Sequence, residues 1–572
     1  MLWIPLGAGS RTGSPPERQA VRLPVQDSKE QLLRRNFAVL EEVDPALARR
    51  VAWPVGGDHT RRLADGRVEL RLHRAWVPLG ITPEQLGASL NGAAGGERVL
   101  VLGIGLGEQV FELLRSGKSV VAWEHDPWLL RLMLAERELA EPLRSGRLEL
   151  LLGTDLLDVG APGMAIVEHP LLARLYAGEI RAFREPRRGA ERTVVCAGGL
   201  FVEEVRAALE RRGHWTWSLD IGRLSEEELD LAVRRIEPGR VFAINYTEGL
   251  AEFVEERGAE LLVWEVDPAT TPLRPLSRPC PHARAFTYRP SNVEAFRAAG
   301  FEHVEHLPLA ADPIRRRPLE LDPDEARSSF APVAHVGSSM VDNARACKER
   351  LLRYWMSFKG EGASREEFDS LSALLLDHQR KHPLEFTIPA RLERFLPGFR
   401  DACLTHGPGE DPVVLFGEIA ASEKRLAWAA RLAPVGLSVW GDRGWRMVEP
   451  HGVTYRGPAG HREELTRIYS ICPLHWDVGR IYQRDIVTMR VFDVMACGRP
   501  VFTEENPAVH ELFEVGVELM TYTDPEDLLG KLEAFAKDPE RGLEMGRRAR
   551  MAIEERHTVD HRVETMLACP GA

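Results

Sequence analysis

The sequence predicts an α/β chain built as three doubly wound domains in tandem, the last carrying a helical insertion. Three observations point there. Short apolar runs alternate with helical patterns in three successive series, a glycine turn (VLGIGLGEQVFELL) joins an apolar run to a helix, and 572 residues are too many for one core. On the usual scale of roughly 100 to 200 residues per domain, this length calls for three or four units.

Composition narrows the class. Hydrophobic residues at 44% and charged residues at 28% fit a globular chain and not a disordered one. A formal charge of −12 argues against a protein that coats nucleic acid or an anionic membrane, because both need a large basic surface. A local basic pocket for one diphosphate stays compatible with it. Seven cysteines without a C-x-x-C pair read as reduced, buried thiols, not a zinc site or a disulfide framework. The start, MLWIPLGAGSRTGSPPERQAV, lacks the basic flank and apolar core of a secretion signal, and no apolar run reaches the roughly 20 residues of a membrane span. The expectation is a cytoplasmic protein without a transmembrane segment.

Residues 1–30, rich in Gly, Ser, Pro and Arg, read as a flexible arm. The first domain, 31–215, opens with the helical pattern QLLRRNFAVLEEV. From Glu97 it continues as ERVLVLGIGLGEQVFELLRSGKSVVAWEHD, an apolar run, a glycine turn, a helix and a second apolar run ending in acids. RLELLLG, MAIVEHP and RTVVCAGGLF add strands, and VEEVRAALERRGH adds a helix. The second domain, 216–325, runs as WSLDI, helix SEEELDLAVRRIE, strand RVFAINY, helix GLAEFVEERG, strand ELLVWEVDP, then AFTYRP, SNVEAFRAAGF and HVEHLPLA. The polar, proline-containing stretch 311–329 reads as a linker. The third domain, 326–572, opens with PVAHVGSS, is interrupted by the helical insertion 340–411, and resumes with PVVLFGE read as a strand. Helix ASEKRLAWAARLA, strand LSVWG, GVTYRG, helix HREELTRIYS, CPLHWD, helix TMRVFDVMACG, strand PVFTEE and a long helical tail follow. No short-period repeat interrupts this order.

Ligands of open α/β sheets sit at the carboxyl ends of strands, facing helix amino termini whose free N–H groups suit phosphate. The helix holding Arg490 and Asp493 occupies such a place: an arginine can grip a diphosphate with its planar fork, and an acid can accept two bonds from ribose hydroxyls. Their spacing of three also permits a plain surface ion pair. In the first domain, Gly103, Gly105 and Gly107 would let the backbone approach a ligand and Glu124 would close the second strand as a ribose acceptor. That G-x-G-x-G form suits S-adenosylmethionine better than a dinucleotide.

D-V-M-A-C-G-R-P-V resembles the E-A-M-A-C-G-x-P-V signature of the second lobe of two-lobed (GT-B) glycosyltransferases. The wording M-R-V-F-D-V-M-A-C-G, then E-L-F-E-V-G and E-R-H-T-V-D-H-R, resembles more narrowly the CgeB-like (spore maturation protein) glycosyltransferases over residues 411 to 566. The resemblance implies Rossmann-like domains of which the last two form a GT-B pair, with a nucleoside-diphosphate sugar as donor and a glycan or protein as acceptor. It implies Asp493 at the donor ribose and Asp485, eight positions earlier, at the donor sugar, both Asp where the family usually has Glu. Gly337, Ser338 and Ser339 would then lie near the donor phosphates, Trp440, Gly441 and Arg443 beside the nucleotide base, and Arg490 on the diphosphate. His557 and His561 would be structural, on a tail that braces the lobes.

RVFAINYTEGLAEFVEERGAELLVWEVDPAT resembles the domain preceding the CgeB-like lobe, which makes 216–325 the acceptor-side lobe and puts Asn245, Glu265 and Asp267 at strand ends. An inverting enzyme needs a general base there, and Asp267 is the candidate; a retaining enzyme needs none. VLGIGLGEQVFELL, VAWEHDPWLLRLML and EHPLLARLY resemble the N-terminal domain of motility accessory factor proteins, which are linked to flagellin glycosylation. Three readings follow: a glycosyltransferase, for which flagellin is one acceptor; a methyltransferase domain fused to a non-catalytic sugar-binding module; and a recognition scaffold. No metal ligand set is expected, since no cleft-facing D-x-D occurs.

Overall fold

The computed structural model describes residues 25–52, 57–72, 75–93, 96–160, 164–185, 191–196, 200–269, 271–407, 409–460 and 463–568. Of the expected arm, 1–24 lie outside the described residues, and 25–30 belong to the helix Val25–Val43. The chain divides into two compact units between Leu262 and Val263.

The first unit opens with a small antiparallel sheet, β1 (Thr60–Arg62), β2 (Val68–Leu72) and β3 (Ala75–Pro78), in a stretch to which periodicity assigns no element. Its parallel sheet holds β4 (Arg98–Leu102), β5 (Ser119–Glu124), β6 (Leu148–Leu152) and β7 (Ala165–Glu168) in the order β6-β5-β4-β7. The near-continuous apolar runs fit strands covered on both faces, as parallel sheets require. β8 (Arg192–Cys196) departs from the expectation that it completes this first domain. It pairs in parallel with both β9 (Trp215–Leu219) and β10 (Arg240–Ile244). Strand–helix alternation counts units but does not choose partners. Here Glu179 makes the choice visible, since it accepts from Arg206 at 3.0 Å and from the Ser218 N–H at 3.3 Å and so ties the preceding helix to β9.

β11 (Glu260–Glu265) spans the division between the units. In the second unit β12 (Ala283–Thr287) and β13 (His303–His306) pair in parallel, with Arg284 opposite His303. A six-stranded parallel sheet follows: β14 (Val333–Val336), β15 (Leu437–Trp440), β16 (Thr454–Tyr455), β17 (Leu474–Trp476), β18 (Val501–Glu504) and β19 (Met520–Tyr522). Its spatial order is β16-β15-β14-β17-β18-β19, that is 3-2-1-4-5-6 within the lobe, the order of dinucleotide-binding folds.

Between β14 and β15 lie the helices Val341–Lys359, Arg365–Lys381 and Ile388–Phe395, packed through Leu351, Trp355, Phe368 and Leu392. PVVLFGE is not the strand its apolar run suggests. It is the first third of the helix Pro412–Arg431, started by Asp411, whose side chain accepts from the Val413 N–H, with proline at the first helical position. Burial on nearly every face gives a helix the same apolar run that a buried strand shows. The stretch 311–329 is docked, not loose: the Leu319 N–H donates to Ser470 at 3.1 Å, and Ala311 bridges to Thr558. The last helix, Val559–Ala568, returns to β12 and β13, where Arg562 donates to the Pro308 and Leu309 carbonyls and Arg284 to that of Met566. Among the described residues no helix is long and apolar enough to cross a membrane.

Candidate functional site

In the 3-2-1-4-5-6 sheet the chain leaves β14 toward one edge and β17 toward the other, so a crevice opens between their carboxyl ends. The turn Gly337–Ser339 follows β14, the segment 477–485 follows β17, and Arg490 comes from the first turn of the helix Met489–Ala496.

Arg490 is held in place from two sides. Its Nε donates to the Val336 carbonyl at 2.6 Å, and its Nη1 pairs with the buried Asp477, which also accepts from Thr488 and Thr503 at 2.7 Å each. A Cβ on residue 337 would stand against the Arg490 guanidinium, so any side chain there must push that guanidinium from its place. His335 is fully buried: its Nδ1 meets the Trp476 carbonyl at 2.9 Å and its Nε2 has no partner. Burial and the Arg490 charge hold its imidazole well below the ordinary value.

The turn itself is committed to Asp442. That carboxylate accepts from the Ser338 hydroxyl at 2.5 Å, from the Ser339 hydroxyl, and from the N–H groups of Ser339 and Gly444 at 2.9 Å each. Burial works to raise the Asp442 carboxyl, and the two serine bonds outweigh it, so it lies below the ordinary range. The expectation that both serine N–H groups face phosphate is therefore corrected. Ser339 is buried and its amide is taken, a charged carboxylate stands beside the turn, and among the described residues only the Ser338 amide of the pair lacks a partner.

Trp440 is corrected as a wall for the base: it is 5% exposed and packs with Ala331, Ala334, Ile468 and Cys472. Gly441 is required by its neighbours, because the Gly337 carbonyl stands where a Cβ would go. Arg443 is exposed at the start of the next helical turn.

The largest concentration of charge falls on residues to which sequence reasoning assigns no role. Lys424 and Arg425, on the buried helix Pro412–Arg431, reach the same crevice. Lys424 pairs with Glu504 at the end of β18 at 2.5 Å, while Arg425 donates to the Ser338 carbonyl at 2.8 Å and the Val478 carbonyl at 3.3 Å. Arg480 pairs with Glu418 at 2.9 Å, and Glu418 accepts also from Tyr482 and Asn343. Arg490, Arg480 and Lys424 each have a carboxylate; Arg425 has none among the described residues. Burial together with the charges of Arg480 and Arg490 pushes its guanidinium down to about 9. The signal was present as two adjacent cations in a mostly apolar helix pattern, SEKRLAW. Buried charges are retained when something pairs with them.

Arg490 and Asp493 do not pair with each other. Asp493 is buried and accepts from Arg316 Nε at 3.1 Å, and burial raises its carboxyl against the Arg316 charge that lowers it. Asp485 faces the segment after β12: Arg289 reaches its Oδ1 with Nε at 3.1 Å and Nη2 at 3.0 Å, and Ser291 donates its hydroxyl at 2.5 Å. Burial opposes ionisation of Asp485, and the Ser291 bond and Arg289 charge outweigh it. Beside them Gln483 donates to the Tyr288 hydroxyl at 2.5 Å, and the buried Glu265 accepts from Thr287 and, at 3.0 Å, from Asn292. Asp267 lies exposed just beyond β11. Asn245, in the other unit, follows β10 with φ 60. His557 meets the Leu512 carbonyl at 3.1 Å and packs on Phe492 and Phe513; burial and the Arg562 charge push it down to about 4. His561 binds Thr558 at 2.7 Å.

The N-terminal glycine turn is filled by the protein itself. Gly103, Gly105 and Gly107 have φ of 80, 59 and 81, and the places of their missing side chains are taken by Leu172, the His169 ring and Met133. Glu124 is wholly buried and accepts from the Ile104, His125 and Asp126 N–H groups and, at 2.7 Å, from the Tyr176 hydroxyl. Four donors meet the roughly four lone-pair sites of a carboxylate. The expected ribose acceptor is thus corrected to a structural acid, and these residues leave the S-adenosylmethionine reading without a site. Among the described residues no cluster is arranged to hold a metal ion.

Residues 423–568 match the protein-family model described as "Glycosyl transferase-like", from Glu423, in the second half of the helix bearing Lys424 and Arg425, through the last helix. Comparison with the curated proteins finds no match. Among solved structures, the chain is similar to Anabaena HepE in complex with UDP and glucose, at 14% identity over 70% of this chain and 95% of that one, TM-score 0.37. Sucrose-phosphate synthase from Thermosynechococcus elongatus aligns at 10% identity over 66% and 97%, TM-score 0.39. The MAf glycosyltransferase from Magnetospirillum magneticum AMB-1 aligns at 12% identity over 50% and 58%, TM-score 0.20.

Proposed function

We propose that this protein is a glycosyltransferase of the GT-B type that takes its sugar from a nucleoside-diphosphate donor, and that the donor diphosphate lies in the crevice between β14 and β17. The observation that carries the reading is Arg425: a buried guanidinium bonded to carbonyls, crowded by Arg480 and Arg490, and not ion-paired to any carboxylate among the described residues. A doubly charged diphosphate supplies the missing counter-charge. The match of residues 423–568 to a glycosyl transferase-like family supports the same reading from sequence.

In this reading Arg425 and Arg490 grip the diphosphate, and the Ser338 amide adds one donor. As the bond between sugar and phosphate breaks, negative charge grows on the leaving diphosphate. Fixed cations in a buried site stabilise that charge without having to reorganise, which is where such catalysis gains most. Asp493 uses Oδ2 on Arg316, which leaves Oδ1 for a ribose hydroxyl. Asp485 stands toward the sugar, oriented by Arg289 and Ser291. Asp267 is the candidate base for an acceptor hydroxyl, since Glu265 is buried among its own partners.

A screen of nucleoside-diphosphate sugars read by released nucleoside diphosphate tests the activity. Release that needs enzyme and rises with an added glycan or protein acceptor is expected; no release from UDP- or GDP-linked sugars under any acceptor would overturn it.

A further inference from the structure

His335 is a buried titratable group of the crevice to which the donor reading gives no role. It lies in β14 with its ring edge-on to that of Trp445 at 5.4 Å and 4.8 Å from that of Trp476. Nδ1 faces the Trp476 carbonyl at 2.9 Å. A carbonyl can only accept, so Nδ1 carries the hydrogen and Nε2 presents a bare lone pair. That lone pair has no hydrogen-bond partner. An unmatched acceptor in the interior is costly unless a positive group stands near it.

Arg490 is that group. The place of a Cβ on Gly337 is bordered by Arg490 Nη2 and, at 3.1 Å, by His335 Nε2, so lone pair and guanidinium edge meet beside one glycine. After burial, the Arg490 charge is the largest influence on the imidazole, and it keeps the ring neutral. Arg490 donates Nε to the Val336 carbonyl and Nη1 to Asp477, while Nη2 has no bond to the protein among the described residues. Nη2 carries two hydrogens. A neutral acceptor beside it orients the guanidinium without cancelling the charge that a diphosphate needs, as a second carboxylate would.

We propose that His335 is a positioning residue for donor binding: its Nε2 lone pair holds the Nη2 edge of Arg490 beside Gly337, so that the other Nη2 hydrogen faces the diphosphate. The inference rests on the donor-site reading and adds to it the group that sets the angle of the guanidinium.

Calorimetric titration of full-chain variants with UDP and GDP tests it. His335→Asn keeps an amide N–H near the place of Nδ1 and lacks the acceptor at Nε2. His335→Phe keeps a ring between the two tryptophans and lacks both nitrogens. His335→Gln puts an amide oxygen near the place of Nε2 and gives up the bond to the Trp476 carbonyl. Folded His335→Asn and His335→Phe should each weaken nucleotide binding about fivefold or more, while His335→Gln melts lower yet binds within about twofold of wild type. In an Arg490→Ala background, His335→Asn or His335→Phe should change affinity less than about twofold, because the effect runs through that guanidinium. Wild-type affinity in a folded Asn or Phe variant, the same loss with and without Arg490, or equal weakening by Gln would each overturn the role of His335 and leave the donor site standing. Failure of wild type to bind either nucleotide would overturn the donor reading and this inference with it.

Discussion

Arg316 and Asp493, 177 residues apart, meet in a buried pair in which Nε donates to Oδ2 at 3.1 Å. Arg316 also donates to Thr466 at 3.0 Å, so this one guanidinium joins the stretch after β13 to the helices that carry Asp493 and Thr466. The acid that family likeness places at the donor ribose is thereby also a structural acid. Asp493→Ala removes the carboxylate facing a buried arginine, which costs about 3 kcal/mol. Denaturant melts should show that loss, and Asp493→Ala with Arg316→Met should recover part of it. Equal stability of wild type and Asp493→Ala would contradict the pairing.

Arg490→Ala should lower turnover at least tenfold, with KM for donor raised, because the guanidinium is fixed at the crevice by Val336 and Asp477. Gly337→Ala should act in the same direction, since its new methyl must push the Arg490 guanidinium aside. Turnover of Gly337→Ala equal to wild type would mean that the placement of Arg490 is irrelevant to the reaction.

Acid should destabilise the second unit through its buried histidines. Burial, aided by nearby arginines, pushes His557 down to about 4 and His475 down to about 3, against 6.5 when unfolded. Between pH 6.5 and 4 the unfolded chain then binds more protons than the folded one, so stability falls as pH falls through that window. Each such histidine contributes a slope of about 1.4 kcal/mol per pH unit. His557→Gln should flatten the dependence of unfolding midpoint on pH by one proton; an unchanged slope would show that His557 is not buried neutral.

Glu124→Ala should leave the N-H groups of Ile104, His125 and Asp126 and the Tyr176 hydroxyl without their acceptor. Unpaired buried donors cost about 1 to 3 kcal/mol each, so a large loss of stability is expected in the first unit, with UDP and GDP binding by folded protein unchanged. Tight S-adenosylmethionine binding abolished by the milder Glu124→Gln would instead restore a ligand role for this acid.

Most strands of the parallel sheets were legible, because a buried parallel strand is an apolar run closed by glycine, an acid or asparagine, as in RVLVLG, SVVAWE and RVFAIN. What failed was partner choice and apolar-run type. β8 reads the same whichever sheet it joins, and PVVLFGE reads as a strand because a helix buried all round loses its polar stripe. The Asp-Pro start at Asp411 was the available clue. The hairpin at Asp65-Gly66, where Gly66 has φ 87, carried a turn signal flanked by only weak alternation.

The crevice was half legible. Arg490 and Asp493 announce themselves by standing at a helix start after a loop, but what each touches is fixed by Asp477 and Arg316, far away in sequence. Ser338 and Ser339 look like phosphate donors until Asp442, 104 residues from Ser338, takes their hydroxyls. Lys424 and Arg425 were visible as misplaced cations, yet only tertiary structure brings Arg425 to the Ser338 carbonyl.

The most direct test of the central claim is the affinity of the full chain for UDP and GDP by calorimetry, before and after Arg425→Met, a change that removes the charge and keeps the apolar stem. Binding of at least one of the two nucleotides at micromolar concentration, weakened at least tenfold in a variant that melts no lower than wild type, is the predicted result. Failure of both nucleotides to bind, or equal binding by Arg425→Met, would contradict the account.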